Sequence, residues 1–179
     1  MKTIRIKDKT FAVSIPEEEI LKQVKRVAEE INRDLAGRNP LFLAVLNGSF
    51  IFAADLLREV TVPCEISFVK LASYEGVSST GAIKEVIGLA ADITGRAVVI
   101  VEDIVDSGLT MVHMLDTLAK HNPASIDVCS LLVKPGNLKV SLDIKYKCLE
   151  IPNDFIVGYG LDYDGWGRNT RDIYTVVEE

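Results

Sequence analysis

Cysteine is scarce in this chain: three among 179 residues, Cys64, Cys129 and Cys148, odd in number and widely spaced. That spacing excludes a fully paired disulfide framework and points to reduced thiols, the state kept in a cytosol. The expected location is therefore cytoplasmic. Histidine is scarcer still. His113 and His121 fall in one helix-like segment, which leaves a nucleophilic cysteine without a base. No apolar run approaches the length of a membrane span, and the alternating start Met1-Lys2-Thr3-Ile4-Arg5-Ile6-Lys7 lacks a secretory core. No membrane partner is expected. Positive charge is outnumbered, 20 Lys and Arg against 26 Asp and Glu, for a net charge of −6. That balance argues against a nucleic acid held mainly by electrostatics, although a local basic patch stays open. Repeats, low-complexity tracts and linkers are also missing.

What is present is ordinary for a soluble globular protein: 48% apolar and 26% charged residues in a length suited to one domain with a substantial core. Residues 3–15 alternate and predict strands or a hairpin around Lys7-Asp8-Lys9. Pro16 opens a helix with Glu17, Glu18 and Glu19 in its first turn, where the helix dipole favours negative charge. Ile20, Val24, Val27, Ala28, Ile31 and Leu35 give that helix one buried face, and Gly37, Asn39 and Pro40 stop it. Leu41 to Leu46 reads as a fully apolar strand and Asn47-Gly48-Ser49 as its C-terminal turn. A helix to about Glu59 and a strand over 64–71 follow. Residues 72–82 are small, polar and aperiodic and predict a loop. Lys84 to Leu89 resumes a strand. Residues 97–133 form a second strand–helix–strand unit, and right-handed crossovers then predict a parallel sheet. Beyond Lys134-Pro135-Gly136-Asn137 come short strand candidates at 145–149 and 155–157 and a last edge strand at 173–177. Residues 134–179, with the N-terminal strands, are expected to form a small hood over the C-terminal edge of the sheet, where ligands of open α/β sheets bind. The predicted core is about 17–133 and the hood about 1–15 and 134–179.

The chemistry concentrates in Val98 to Thr110. Val98-Val99-Ile100-Val101 suits a central strand covered on both faces. Glu102 and Asp103 cannot be buried unpaired, so they belong at its mouth. Asp106, Ser107, Gly108 and Thr110 follow within one turn. Gly108 permits close backbone approach, the hydroxyls of Ser107 and Thr110 face the same turn, and the free N–H groups of the coming helix favour a phosphate. The acids favour a cation or sugar hydroxyls. A phosphorylated sugar held with a hard metal meets both demands. The simpler reading is an ordinary strand and helix N-terminus with Asp106 as the cap.

This stretch resembles the phosphoribosyl pyrophosphate (PRPP) signature of type I phosphoribosyltransferases. Over most of its length the chain is similar to the hypoxanthine (hypoxanthine-guanine) branch, with an Asp-Ser-Gly-Leu-Thr loop of the bacterial kind. The supporting motifs are Val45 to Phe50, Ser73-Tyr74, Leu132-Val133-Lys134, Glu150-Ile151-Pro152, Phe155 to Tyr159 and Leu161-Asp162-Tyr163. The resemblance implies an α/β type I phosphoribosyltransferase fold, a mainly parallel sheet flanked by helices with a hood. It implies transfer of 5-phosphoribosyl from PRPP to N9 of hypoxanthine or guanine, with Mg²⁺, by a homodimer or homotetramer. By the same resemblance, Glu102 and Asp103 would face the ribose hydroxyls and the metal-bound sugar. Asp106, Ser107, Gly108, Leu109 and Thr110 would hold the 5-phosphate, with Asp106 the proton acceptor at purine N7. Lys134 would donate to O6, Phe155 would stack on the purine, and the carbonyls of Ile156 and Asp162 would read its edge. The Asp162 carboxylate would help hold a second magnesium. Arg168 and Leu46, Asn47 and Gly48 would contact pyrophosphate, and Ser73 and Tyr74 would belong to a lid.

Simpler roles stand beside these. Lys134 could be a solvated strand-end lysine, Phe155 plain core, Arg168 a surface partner of Asp164 or Glu178, and Asp162 the cap of a turn with Gly160 and Gly165. Asn47 departs from the family, many of whose members carry lysine there, often after a cis non-proline peptide. Its missing charge implies a weaker pyrophosphate contact. Two other functions fit the same signature: an RNA-binding regulator of pyrimidine genes, whose basic surface this acidic chain does not advertise, and a xanthine-preferring transferase. A transferase for adenine or a pyrimidine fits less well beside Lys134, Phe155 and Asp162.

Overall fold

The computed structural model describes residues 2–73 and 83–178. The chain runs β1 (Thr3–Ile6), β2 (Lys9–Ile15), α1 (Glu17–Asp34), β3 (Leu41–Leu46), α2 (Phe50–Glu59), β4 (Glu65–Ser73), β5 (Ile83–Ile87), β6 (Ala97–Val105), α3 (Leu109–Ala119), β7 (Ser125–Val133), a 3-10 turn (Pro135–Asn137), β8 (Tyr146–Glu150), β9 (Ile156–Val157) and β10 (Ile173–Glu178). Two sheets result: six strands in the order β5-β4-β3-β6-β7-β8, and four in the order β1-β2-β10-β9.

The larger sheet is parallel from β4 through β8, with β5 antiparallel at one edge. Its central strands are apolar on both faces because both are covered. Phe42, Ala44, Val99, Val101 and Leu131 pack with Ile20, Val24 and Ile31 of α1 and Phe52 and Leu56 of α2. On the other face, Leu41, Leu43, Val98 and Ile100 pack with Met111, Met114 and Leu118 of α3. Those methionines are core filling, as their helical spacing predicts. No described helix is long and apolar enough to cross a membrane.

The first helix starts after Pro16, and Asp172 of the distant C-terminal segment accepts the Glu17 N–H at 2.9 Å. The hood sheet closes over its own small core of Ile6, Phe11, Val157 and Tyr174. Tyr159 is buried and donates its phenol to Asp55 of α2, which fastens the hood to the core. Burial, and then that carboxylate, push the phenol well above its usual range.

Two sequence expectations change here. The segment 134–179 is not all hood, because β8 pairs in parallel with β7, as Cys129 with Tyr146 and Leu132 with Leu149, and so belongs to the larger sheet. Tyr146 and Cys148 are buried there, and the Tyr146 hydroxyl donates to Asp34 of α1 at 3.0 Å. The last strand is not an edge either: β10 lies between β2 and β9.

Candidate active site

The site begins where strands of unequal length stop pairing. The β3–β6 register ends at Ala44 and Val101, whereas β6 and β7 continue together to Val105 and Val133. From Glu102 onward β6 therefore has one free flank, beside the last two residues of β3 and the turn that follows them. The acids sit inside this overhang, toward the end of β6 as the sequence suggested, and β7 keeps the extension paired. After Val105 a short turn leads to α3, whose N-cap is Gly108 at φ 83° with no side-chain capping bond. Asp106 is thus not the cap. The Ser107 hydroxyl accepts the Leu109 N–H at 3.3 Å. Glu102, residues 104–108, Thr110 and Met111 line a cavity of about 170 Å³. That pocket sits over the first turn of α3, where unpaired N–H groups suit a phosphate.

The acids are pinned by the backbone. Glu102 accepts the Asp103 N–H at 3.1 Å and Asp103 accepts the Ile104 N–H at 2.9 Å. Burial, and then the hydrogen bond and charge of Asp103, push the Glu102 carboxyl well above its ordinary range. Such a pair suits a cation or hydroxyl donors. Among the described residues no cluster of three or more His, Cys, Asp or Glu side chains could cage a metal. The donor set fits Mg²⁺, which takes one or two carboxylates and fills its remaining positions with water and phosphate oxygens.

Opposite the acids lies the turn after β3, which carries a cis Leu46–Asn47 peptide. Gly48 presses directly on Asp103: a Cβ there would overlap a carboxylate oxygen and lie 2.5 Å from Cγ. From the other side comes Gly160, where a Cβ would overlap the Gly48 carbonyl oxygen and lie 3.3 Å from its carbon. Gly160 also has φ 102°, which side chains disfavour. Two glycines thus let three chain segments stack: Asp103, the 47–49 turn and the hood loop. Arg168 holds that loop shut, donating to the Gly160 carbonyl at 2.7 Å and pairing with Asp162 at 3.0 Å. Asp162 also accepts the Gly165 N–H at 2.7 Å. The simpler role of Asp162 as a turn cap is therefore real, whereas Asp164 pairs with Lys7 and not with Arg168.

A second group forms on the far side of the Asp106 turn. Lys134, buried at the end of β7, places Nζ 3.6 Å from the Asp106 carboxylate. It is not a solvated strand-end lysine. The Asn137 amide donates to the other oxygen of Asp106. Main-chain bonds run alongside, from Lys134 N–H to Val105 carbonyl at 3.0 Å and from Lys139 N–H to Ser107 carbonyl at 2.9 Å.

Phe155 lies immediately before β9. It is 41% exposed, with its ring 5.9 Å from Phe11 and 5.5 Å from Tyr163, so it is not plain core. Val176 N–H bonds the Phe155 carbonyl, and Ile156 stands opposite Thr175 in the next position of the same antiparallel register. Hydrogen-bonded and non-bonded pairs alternate in such a ladder, so the Ile156 carbonyl points away from β10, off the free edge of β9. Asn47, Leu109 and Thr110 are exposed around the phosphate pocket and the 47–49 turn. Ser73 ends β4, and Tyr74 lies outside the described residues. Sequence reasoning missed Asn137, Asp55 and the aromatic partners Phe11 and Tyr163. Only the proximity of Asn137 to Lys134 could have flagged the first.

The family described as "Phosphoribosyl transferase domain" matches residues 15–164. The chain is 36% identical over 168 residues to the hypoxanthine-guanine phosphoribosyltransferase of Streptococcus pneumoniae, covering 93% of each chain. It is 42% identical over 172 residues to that of Mycobacterium avium, covering 92% of this chain and 85% of the relative. Among solved structures, a hypoxanthine-guanine phosphoribosyltransferase from Bacillus anthracis superposes with a TM-score of 0.87 at 41% identity, over 93% of this chain and 96% of the other. A hypoxanthine phosphoribosyltransferase from Staphylococcus aureus gives 0.88 at 32% identity, over 93% and 91%.

Proposed function

This chain belongs to the phosphoribosyl transferase family, and from that premise we propose how its residues divide the work. It is a purine-salvage transferase that moves 5-phosphoribosyl from PRPP to hypoxanthine or guanine, giving IMP or GMP and pyrophosphate. The observation that carries the site assignment is the Lys134–Asp106 pair at the rim of the phosphate pocket, 3.6 Å apart. A 6-oxopurine offers a carbonyl at C6 and a nitrogen at N7 on one edge. Lys134 donates to O6, and Asp106 accepts the proton at N7. An amino group at C6 would instead face the lysine with two donors opposed, which rejects adenine.

The turn from Asp106 to Thr110 cradles the 5-phosphate on the N–H groups of α3. Glu102 and Asp103 orient the ribose hydroxyls. Phe155 stacks on the purine, and the carbonyls of Ile156 and Asp162 read its edge. Arg168 turns toward the leaving pyrophosphate beside Leu46, Asn47 and Gly48. Ser73 and Tyr74 belong to a lid that excludes water. Glu102, Asp103 and Asp162 are the residues that would hold Mg²⁺, which when bound neutralises charge building on the pyrophosphate. The chain works as one domain in the cytoplasm, its hood made of β1, β2, β9 and β10.

Assembly into a homodimer or homotetramer completes this reading. Its support is the exposed apolar set Phe50, Ile66 and Phe68 on the α2 side of the large sheet. A monomer in light scattering at micromolar concentration would contradict it.

Asn47 brings no charge to the leaving group. Asn47→Lys is therefore expected to tighten pyrophosphate binding by about 10-fold, the effect of roughly 1.4 kcal/mol of partly screened attraction. Product inhibition by pyrophosphate measures it, and equal or weaker binding by the variant would sink this assignment. Release of pyrophosphate from PRPP with each of several bases tests the function itself.

A further inference from the structure

The segment after β7 lies along the turn that carries Asp106 like a strap. Lys134, Asn137 and Lys139 bond in order to Val105, Asp106 and Ser107. Two of the three bonds are main chain to main chain and need no particular side chain. The middle one is different: the Asn137 amide donates to Oδ1 of Asp106, while Lys134 Nζ stands 3.6 Å from Oδ2. The carboxylate is thus divided between a neutral donor on one oxygen and a cation on the other. The 3-10 turn is itself closed by the Asn137 N–H to Lys134 carbonyl bond at 3.0 Å, so the two donors are set by one rigid element.

We infer that Asn137 is a positioning residue for Asp106: it fixes one carboxylate oxygen, so that the other stays aimed at the base when Lys134 leaves it for the purine carbonyl. This rests on the roles proposed above for Asp106 and Lys134. On base binding Lys134 cannot hold both Asp106 and O6 with full strength. With no second tether the half-exposed Asp106 would rotate about its side-chain bonds and lose its alignment with N7. The amide suits the task because it donates without adding charge. A lysine or arginine at the same place would add a second cation beside the carboxylate, where Lys134 already supplies one.

The test compares Asn137→Ala, Asn137→Asp and Asp106→Ala with the natural protein in steady-state pyrophosphate release from PRPP and hypoxanthine with Mg²⁺. Asn137→Ala is expected to lower kcat by about 10-fold, as misalignment of a reacting group does, with KM for PRPP within about 2-fold. Asn137→Asp keeps the shape but replaces the donor with a second carboxylate. It is expected to lower kcat further, because the tether is lost and a second carboxylate repels Asp106 from its aligned position, again with KM for PRPP within about 2-fold. Thermal melts confirm folding; should Asn137→Ala fail to fold, the isosteric Asn137→Asp still carries the comparison. If Asn137→Asp keeps the natural kcat, only shape matters at this position and the inference is overturned. The same follows if both variants are unchanged while Asp106→Ala is inactive. If Asp106→Ala turns over normally, the role given to Asp106 falls, and this inference with it.

Discussion

Gly48→Ala is expected to lower turnover by on the order of 100-fold while leaving the fold intact, the size of loss that follows when a reacting group is displaced by about an ångström. The new methyl would overlap an oxygen of Asp103 and lie 2.5 Å from Cγ. Neither partner can yield cheaply. Asp103 is tied to the Ile104 N–H at 2.9 Å, and the 47–49 turn cannot retreat because Gly160 backs directly on the Gly48 carbonyl. What moves is the carboxylate or the turn, the two groups proposed above to face the sugar and the leaving group. The core of β3 and α2 is untouched, so the thermal midpoint should shift by only a few degrees, equivalent to about 1 kcal/mol for a domain this size. Gly160→Ala presses on the same stack from the hood and adds the strain of a side chain at φ 102°, so it should match or exceed the loss. Steady-state kinetics with melting curves on both variants measure this. Natural turnover in Gly48→Ala would show that Asp103 does not need its present position.

Lys134→Met is expected to change which base reacts more than whether PRPP binds. A hydrogen bond from a charged donor is worth about 1.5–3 kcal/mol, so kcat/KM for hypoxanthine should fall by roughly 10- to 100-fold. Adenine never had that bond and meets less opposition once the ammonium is gone. Its kcat/KM should hold or rise, narrowing the preference for the oxopurine. Methionine fills much of the same volume, and Asn137 still holds Asp106, so KM for PRPP should stay within about 2-fold. An equal fall for both bases would mean that Lys134 supports the site without reading the 6-position.

Much of this arrangement is legible in the chain because it is local. The apolar run Leu41 to Leu46 and the mostly apolar stretch Ser125 to Val133 coincide with β3 and β7, since both strands are covered on two faces. The Asp106-to-Gly108 turn lies where the sequence puts it, between β6 and α3, whose first residues are Leu109 and Thr110. What could not be read depends on distant partners. The short strand Tyr146–Glu150 resembles a hood strand until α1 is seen to hold it, through Tyr146 to Asp34 and through Arg26 to the Lys147 carbonyl at 2.8 Å. Likewise, β10 looks like an edge because the β9 that flanks it spans only Ile156–Val157. The overhang that carries Glu102 and Asp103 arises because β7 outlasts β3 as a partner of β6. Asn137 carried no signal of its own. An asparagine after Pro-Gly reads as turn filler, and only the fold brings it onto Asp106.

The most direct test is release of pyrophosphate from PRPP with Mg²⁺ and, in turn, hypoxanthine, guanine, xanthine, adenine and uracil, for the natural protein and for Asp106→Ala. The account predicts turnover with hypoxanthine and guanine, little or none with adenine and uracil, and a large loss in the variant. Turnover with uracil, or with none of the bases, would contradict it and shift the weight to a nucleic-acid-binding regulator built on the same fold.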